Sequence, residues 1–208
     1  MNFRGKGLML TVLTLVLGGG VPTFAASDVG VGLVYGVTSA SQNGGGSSSN
    51  ARSGTAYGAL VELSAPASRS GLLAGVLYSE LGGHQTNTFW DFDVKLPYYQ
   101  IPVLAEFWLA PIIAIGGGGY YGFPAANSTR SGTILGVSGS TSDTFANQGW
   151  KGDDFGLAIN ARAHISLGLV YLSGDVIYEY GLENVSTVSG QTVNNRALLA
   201  MIGVGIGI

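Results

Sequence analysis

The feature that most constrains this chain is an alternation of apolar residues with small or polar ones, with a period of two. Near the end of the sequence, one parity carries Leu198, Ala200, Ile202, Val204 and Ile206. The other parity carries Leu199, Met201, Gly203, Gly205 and Gly207. Successive side chains point to opposite faces of a β-strand, so this pattern predicts a strand with one continuous apolar face.

The same pattern predicts eight strands, at 29–38, 57–64, 72–79, 99–107, 112–123, 155–164, 169–180 and 198–208. In 112–123 the glycines from Gly116 to Gly119 leave open which face is apolar. Pro102 lies within the fourth segment and lacks the amide hydrogen that a strand ladder uses, so we expect a β-bulge there. A complete break at Pro102 would reduce the strand count to seven.

The connections between these segments alternate in length. Long polar connections cover 39–55, 82–95, 125–152 and 182–195, whereas short turns lie near 65–68, 110–111 and 166–168. Up-and-down transmembrane barrels show this asymmetry, with short periplasmic turns and longer outside loops. The sequence therefore predicts an all-β fold, an eight-stranded antiparallel up-and-down transmembrane β-barrel over 26–208, with both ends on the periplasmic side.

Composition decides which face of the strands meets solvent. Apolar residues make up 46% of the chain and charged residues only 10%, so there are too few polar groups to wet eight outer faces. A soluble lipocalin-like barrel, with its apolar face around a ligand, is the alternative. We expect the apolar faces to point outward, around an interior of small residues and a few charges. Outward aromatic girdles are predicted from Tyr35, Tyr57, Tyr78, Tyr99, Phe107, Tyr121, Phe123, Phe155, Tyr178 and Tyr180.

The first 25 residues predict a secretory signal peptide. Arg4 and Lys6 precede an apolar run over 8–17, and the small residues Ala25 and Ala26 predict cleavage after Ala25. That run is shorter than the roughly 20 residues of a transmembrane helix. Removing the two cations leaves seven basic and twelve acidic side chains, a formal charge of −5, which argues against nucleic acid as a partner. The chain has no cysteine, which excludes disulfides and thiolate sites.

Three segments of the chain combine aromatic, glycine and proline residues in distinctive order: LPYYQIPVL at 96–104, IGGGGYYGF at 115–123, and YEYGLENV at 178–185 followed by NNRAL at 194–198. These segments resemble the bacterial outer-membrane β-barrel domain family, which includes eight-stranded porin-like and PorT-like proteins. They occur in the family's order and fall on predicted strands. The resemblance implies localisation in the cell outer membrane and assembly by the barrel insertion machinery, and it implies a fold more than a task.

Six ionisable residues share the predicted inner face of the strands: Glu62, Glu106, Arg162, His164, Asp175 and Glu179. Charged groups in a narrow lumen need partners, and one arginine can pair with carboxylates in bidentate geometry. We expect this polar cluster to be structural, with a proton or ion path as the alternative. We predict no catalytic residues, no cofactor and no metal site.

The long connections hold the remaining candidates. Trp150, in 125–152, is the expected contact for an outside partner. His84, Asp91 and Asp93, with a serine and Asp143, are the residues that a lipid-modifying enzyme would use, and Asp91-Phe92-Asp93 and Asp153-Asp154 carry oxygen ligands suited to calcium. We expect instead a monomeric barrel with a structural or loop-mediated binding role, in contact with outer-membrane lipid and lipopolysaccharide. A small passive pore is the alternative function.

Overall fold

The computed structural model describes residues 29–44, 47–65, 69–86 and 89–207. The predicted signal peptide, 1–25, lies outside the described residues. The strands are β1 (Val29–Gly44), β2 (Ser47–Ser48), β3 (Arg52–Ala65), β4 (Ser70–Thr86), β5 (Trp90–Ala110), β6 (Ile113–Pro124), β7 (Ser128–Ile134), β8 (Val137–Asp143), β9 (Asp154–Leu167), β10 (Val170–Gly181) and β11 (Val193–Gly207). A short 3-10 turn, Ala146–Gln148, follows β8.

Eight of these strands form a closed antiparallel ring. Each of β1, β3, β4, β5, β6, β9, β10 and β11 pairs with the next in that order. The ring closes between β11 and β1, from Gly30↔Gly207 to Gly44↔Val193. This arrangement confirms the predicted eight-stranded up-and-down barrel. Among the described residues, no helix is long and apolar enough to cross a membrane.

The outward faces of the ring carry the apolar residues. Leu33 is 67% exposed and Ile202 is 74% exposed, whereas the inward Leu60 and Leu199 have at most 1% exposure. The predicted parities are therefore confirmed. Strand β6, whose parity the glycines left open, turns its odd-numbered residues outward and buries Ala114 and Tyr120. We refer to the outward-facing side chains of the eight ring strands as the apolar belt.

Aromatic side chains concentrate in the part of the belt nearest the long connections. The rings of Tyr57 and Tyr78 stack with centroids 4.8 Å apart, and Tyr99 lies 6.1 Å from Tyr78 and 5.8 Å from Phe123. Phe155 follows on the neighbouring strand, where it pairs with Tyr121. The predicted aromatic girdle is present at this end of the barrel.

Two expectations about the strands were wrong in detail. The β4–β5 ladder is interrupted opposite Ile101 and Pro102, yet its register is the same before and after the gap, so Pro102 removes hydrogen bonds without creating a bulge. The register shift in β5 lies instead between Trp108 and Ala110, at the short turn before β6. The predicted strand bounds were also too short at the long-loop end, where β4 and β5 continue to pair as far as Thr86↔Asp91.

The longest connection is more ordered than a loop. Within 125–152, β7 pairs with the first part of β5, from Trp90↔Ile134 to Lys95↔Thr129, and β8 pairs with β7. The β7–β8 hairpin thus extends the barrel wall beyond the apolar belt as a four-stranded sheet in the order β4, β5, β7, β8. A Ser/Thr/Gly-rich sequence had predicted a loop here because its hydrophobic pattern gives no face preference.

Candidate functional site

The interior of the ring holds the predicted ionisable cluster, and Arg162 is its centre. The Arg162 guanidinium donates to Asp175 Oδ1 through Nε at 2.6 Å and to Glu62 Oε2 through Nη1 at 2.8 Å. Its Nη1 lies 4.0 Å from Glu106 Oε2. The Arg162 side chain is 1% exposed, so all three pairs are shielded from water. We call Arg162, Glu62, Glu106, Asp175 and His164 the lumen network.

Neutral groups and the histidine complete this network. Asn160 Nδ2 donates to Glu106 Oε1 at 2.5 Å, and Ser173 Oγ donates to Asp175 Oδ2 at 2.9 Å. His164 Nδ1 lies 3.2 Å from Glu62 Oε2. Three carboxylates of the network face one guanidinium, and Asn160 and Ser173 donate additional hydrogen bonds to two of these carboxylates.

Glu179 shares the inner face but is not part of the lumen network. It pairs in the ladder with Ala158, four residues nearer the long-loop end than Arg162. Its Oε2 accepts from Gln100 Nε2 at 2.6 Å, and the Gln100 amide oxygen in turn accepts from the Ser79 hydroxyl. Strand parity correctly placed Glu179 inside, but parity carries no information about depth along the barrel.

Between these two polar layers the lumen is aliphatic. Val34, Leu60, Leu73, Leu77, Leu104, Ile177, Leu199 and Met201 all point inward, with at most 5% exposure. The expectation of an interior limited to small residues and a few charges was therefore wrong. Parity had placed these leucines on the inner face, but the expectation was based on the glycines and charges of that face and overlooked its leucines, which in strands such as β4 stand beside equally apolar outward residues.

Aromatic rings pack together at the short-turn end of the lumen. The His164 ring stacks on Tyr171 with centroids 4.5 Å apart, and Trp108 lies edge-on to His164 at 5.8 Å. Tyr171 lies against the backbones of β1 and β11, where a Cβ at Gly32 or Gly205 would overlap its ring. Glycine on the inner face of the last strand is thus explained by close packing of a large ring.

A second aromatic contact lies at the long-loop end. Phe145, from the segment after β8, is buried and packs edge-on against the fully buried Tyr98, with centroids 5.2 Å apart. Beside them, Asp154 Oδ2 accepts from Tyr120 at 3.3 Å and from Asn195 at 3.0 Å. Sequence reasoning missed this layer, because it treated Phe145 as part of a loop and Asp154 as a solvated acid.

The candidates on the second long connection lie together at the rim. His84 sits between Asp91 at 3.6 Å and Asp93 at 3.4 Å, and Arg52 lies 3.9 Å from Asp93. Asp91 and Asp93 are about half exposed, so these groups face water. Within the described residues, no group of three or more histidine, aspartate or glutamate side chains is arranged to hold a metal ion.

Trp150 is not at a loop tip. It is partly buried against the interior cluster, and its segment pairs with the fourth long connection through Trp150↔Ser186. Two surface grooves share Trp150, one of about 420 Å³ toward Asn127 and one of about 600 Å³ toward Tyr121 and Glu183. Trp150 is thus held in place and contributes to the walls of both grooves.

Solved structures show the same fold. A major outer membrane protein from Thermus thermophilus superposes with a TM-score of 0.51 at 13% identity, covering 89% of this chain and 100% of that chain. Neisserial surface protein A gives 0.45 at 13% identity, covering 89% and 100%. The attachment invasion locus protein Ail of Yersinia pestis gives 0.43 at 14% identity, covering 87% and 99%. No protein-family model matches the sequence, and no curated protein is significantly similar to it.

The superposition on the Thermus protein supports the fold alone, because 13% identity carries no information about a shared task. At the level of fold, the resemblance to the outer-membrane barrel family is confirmed. The exposed apolar belt is the face that such barrels turn toward lipid, and the closed ring satisfies the backbone within it.

Proposed function

We propose that this outer-membrane barrel is a closed anchor that presents a protein-binding edge outside the cell, on strand β8. The observation that carries this proposal is the position of β8 as the last strand of the sheet β4, β5, β7, β8, with all seven of its residues exposed. An edge strand offers unpaired backbone groups to an incoming extended segment, which then adds to the sheet.

The sequence of β8 supports this role. Natural edge strands are usually protected by charges, proline or a bulge, but VSGSTSD has no proline and carries its single charge at the last residue, Asp143. The turn before it exposes Leu135 at 76%, and Val137 is 75% exposed. An open edge that begins at an apolar tip fits an extended protein segment with small polar residues and an apolar end.

The packed lumen supports a closed anchor. The aliphatic layer, the lumen network and the aromatic contacts at both ends occupy the interior along its length. An eight-stranded barrel is just wide enough for side chains to fill, so a passive pore is the weaker alternative. We expect no step conductance from the purified protein in planar bilayers, and discrete channel openings of uniform size would favour the pore.

The remaining parts of the proposal concern surroundings and chemistry. We expect a monomer, because ring closure leaves no free edge within the membrane, in contact with lipopolysaccharide and other outer-membrane lipid after assembly by the insertion machinery. We propose no enzymatic activity. The water-exposed His84, Asp91 and Asp93 are the group that a lipid-A or phospholipid turnover assay would test, and turnover lost on His84→Ala would contradict a purely binding role.

A serine in the middle of β8, Ser140, provides a matched test of the binding edge. Leu135 N donates to Phe89 O, so the even-numbered residues of β7 direct their backbone groups to β8, and residues opposite them, such as Gly139 opposite Gly132, face β7. The backbone groups of Ser138, Ser140 and Ser142 therefore face the open edge. Ser140→Pro removes such an amide, whereas Ser140→Ala keeps it and changes only an exposed side chain.

The experiment uses the protein in nanodiscs and a panel of immobilised serum and extracellular-matrix proteins. We expect wild type and Ser140→Ala to bind at least one member equally, and Ser140→Pro, or replacement of 128–143 by a two-residue turn, to abolish that binding. Heat-modifiable gel mobility checks that each variant forms the barrel. Equal binding by all four proteins would contradict a role for the β8 edge.

A further inference from the structure

The larger of the two grooves at Trp150 is a built surface between the third and fourth long connections. Its walls include three aromatic side chains, Trp150, Tyr121 and Phe155, and the charged residues Lys151, Asp153 and Glu183. Its volume of about 600 Å³ falls within the range of about 300–1,000 Å³ that is typical of small-molecule sites. None of its lining residues belongs to β8, and the inference drawn from it is independent of the proposed function.

The backbone around this groove is fixed by hydrogen bonds between the two connections. Lys151 N donates to Val185 O at 2.8 Å, and Thr187 N donates to Gly149 O at 2.9 Å. On the barrel side, Leu182 N donates to Phe155 O at 2.9 Å. A site whose walls are held in this way binds without the entropic cost of ordering a loop.

The charges of the groove select against anions. Lys151 Nζ pairs with Glu183 Oε1 at 2.8 Å, so its positive charge is neutralised within the groove. Asp153 lies beside the Tyr121 hydroxyl and has no cation paired with it in the groove. The ionisable groups of the groove therefore carry a net charge of −1, which repels phosphate, sulfate and carboxylate ligands.

The aromatic rings and hydrogen-bonding groups of the groove fit a neutral sugar ring. The π faces of aromatic side chains carry partial negative charge and attract the C–H faces of a pyranose, while carboxylates accept hydrogen bonds from hydroxyl groups. Asp153 and Glu183 supply acceptors, and the Thr187 hydroxyl can donate and accept. An apolar ligand would leave these polar groups without partners, and an anionic one would face Asp153.

We infer that the groove formed by Trp150, Tyr121, Phe155, Asp153 and Glu183 is a binding site for a neutral pyranose sugar. Tyr121 and Phe155 belong to the aromatic part of the apolar belt, so the lower wall of the groove lies at the height of lipid headgroups. The same sugar chemistry is available from a glycolipid of the membrane and from a free or cell-borne glycan.

The test measures binding of neutral and sulfated oligosaccharides to the full barrel in nanodiscs. For wild type, we expect neutral sugars to bind at least about tenfold more tightly than sulfated sugars of the same length. Trp150→Ala should weaken neutral-sugar binding about tenfold, with partial retention in Trp150→Phe. Trp150 also packs against the interior, so Trp150→Ala changes packing as well as the groove. Asp153 is exposed, so Asp153→Ala should weaken sugar binding without disturbing the packing.

The remaining arms separate sources and competing explanations. Neutral glycolipid incorporated in the nanodisc, compared with the free oligosaccharide, shows whether the sugar is lipid-borne or free, and tighter binding in either form supports the site. Ser140→Pro should bind sugar like wild type, so that failure of the β8 edge and failure of the sugar site are distinguishable. Sulfated sugars binding as tightly as neutral ones, or undiminished binding by both Trp150→Ala and Asp153→Ala, would overturn the inference.

Discussion

The two sides of the barrel wall are made from the same strands but follow different rules. On the inside, Arg162 has three carboxylate neighbours within 4.0 Å, and its surroundings fix each side chain by hydrogen bonds. On the outside, Leu33 and Ile202 project from the wall and have no specific partner to satisfy. Stability on the inner side depends on the identity of each residue, whereas on the outer side it depends only on whether the side chain is apolar at its depth in the membrane.

This difference explains why one chain can carry a mostly apolar composition and still have a polar interior. The apolar belt makes insertion into the membrane favourable, because its side chains contact lipid instead of water. The lumen network provides specificity, because a buried charge that loses its partner is costly. Removing a charge from the lumen network and adding a charge to the apolar belt therefore test these two contributions separately.

The largest effect is expected at the centre of the lumen network. Arg162→Met leaves the carboxylates of Glu62 and Asp175 buried without their cation, which should lower the free energy of unfolding by about 3–5 kcal/mol. Urea unfolding in phospholipid vesicles measures it. The exposed Arg69→Met is the matched control, and Glu62→Gln with Asp175→Asn should recover part of the loss in the Arg162→Met background. Equal stability of both arginine variants would show that the network is dispensable.

A smaller effect is expected on the outer side, where depth decides the cost. Ile202 lies between Leu198 and Ile206 on the outward face of β11, so Ile202→Arg places a charge near the middle of the belt. The expected cost is about 2–4 kcal/mol in the same unfolding assay. Leu135→Arg introduces the same charge at the tip of the β7–β8 hairpin, which is equally exposed but lies outside the membrane. A similar cost at both positions would contradict the assignment of the belt to lipid.

The smallest effect is expected at the contact between the lumen and the segment that follows β8. Tyr98 belongs to the lumen and Phe145 to an outer connection, and their edge-on contact should contribute a coupling energy of about 0.5–1.5 kcal/mol. A double-mutant cycle with Tyr98→Leu and Phe145→Leu isolates that coupling energy. Additive single effects would show that the segment after β8 does not seal the lumen.

Sequence reasoning recovered the features that depend on parity. The outward belt and the inward positions of Glu62, Arg162 and Asp175 follow from a period of two, and the structure places each as expected. The parity of β6 was open because glycines give no contrast between faces. It became clear only from the pairing of β6 with β9, where Ile115 lies opposite the outward-facing Ala161.

Features that depend on depth or on contacts between connections were not predictable in this way. Glu179 was grouped with Arg162, although it lies in a separate layer with Gln100. Parity placed Leu73 and Leu77 inward but did not show that the inward leucines form a continuous aliphatic layer, and the β7–β8 hairpin was missed because solvated strands and loops have similar compositions. Trp150 was singled out from the sequence, but only its pairing with Ser186 reveals the groove beside it.

The orientation of the wall is tested most directly by labelling along one strand. Because the chain contains no cysteine, single cysteines can be introduced at consecutive positions 198–204 of β11 without altering the background. A fluorophore on each cysteine is then exposed to lipids that carry a quencher in their acyl chains. We predict strong quenching at Leu198, Ala200, Ile202 and Val204 and weak quenching at Leu199, Met201 and Gly203. The opposite alternation, or uniform quenching along the strand, would contradict a barrel that turns its apolar face to lipid.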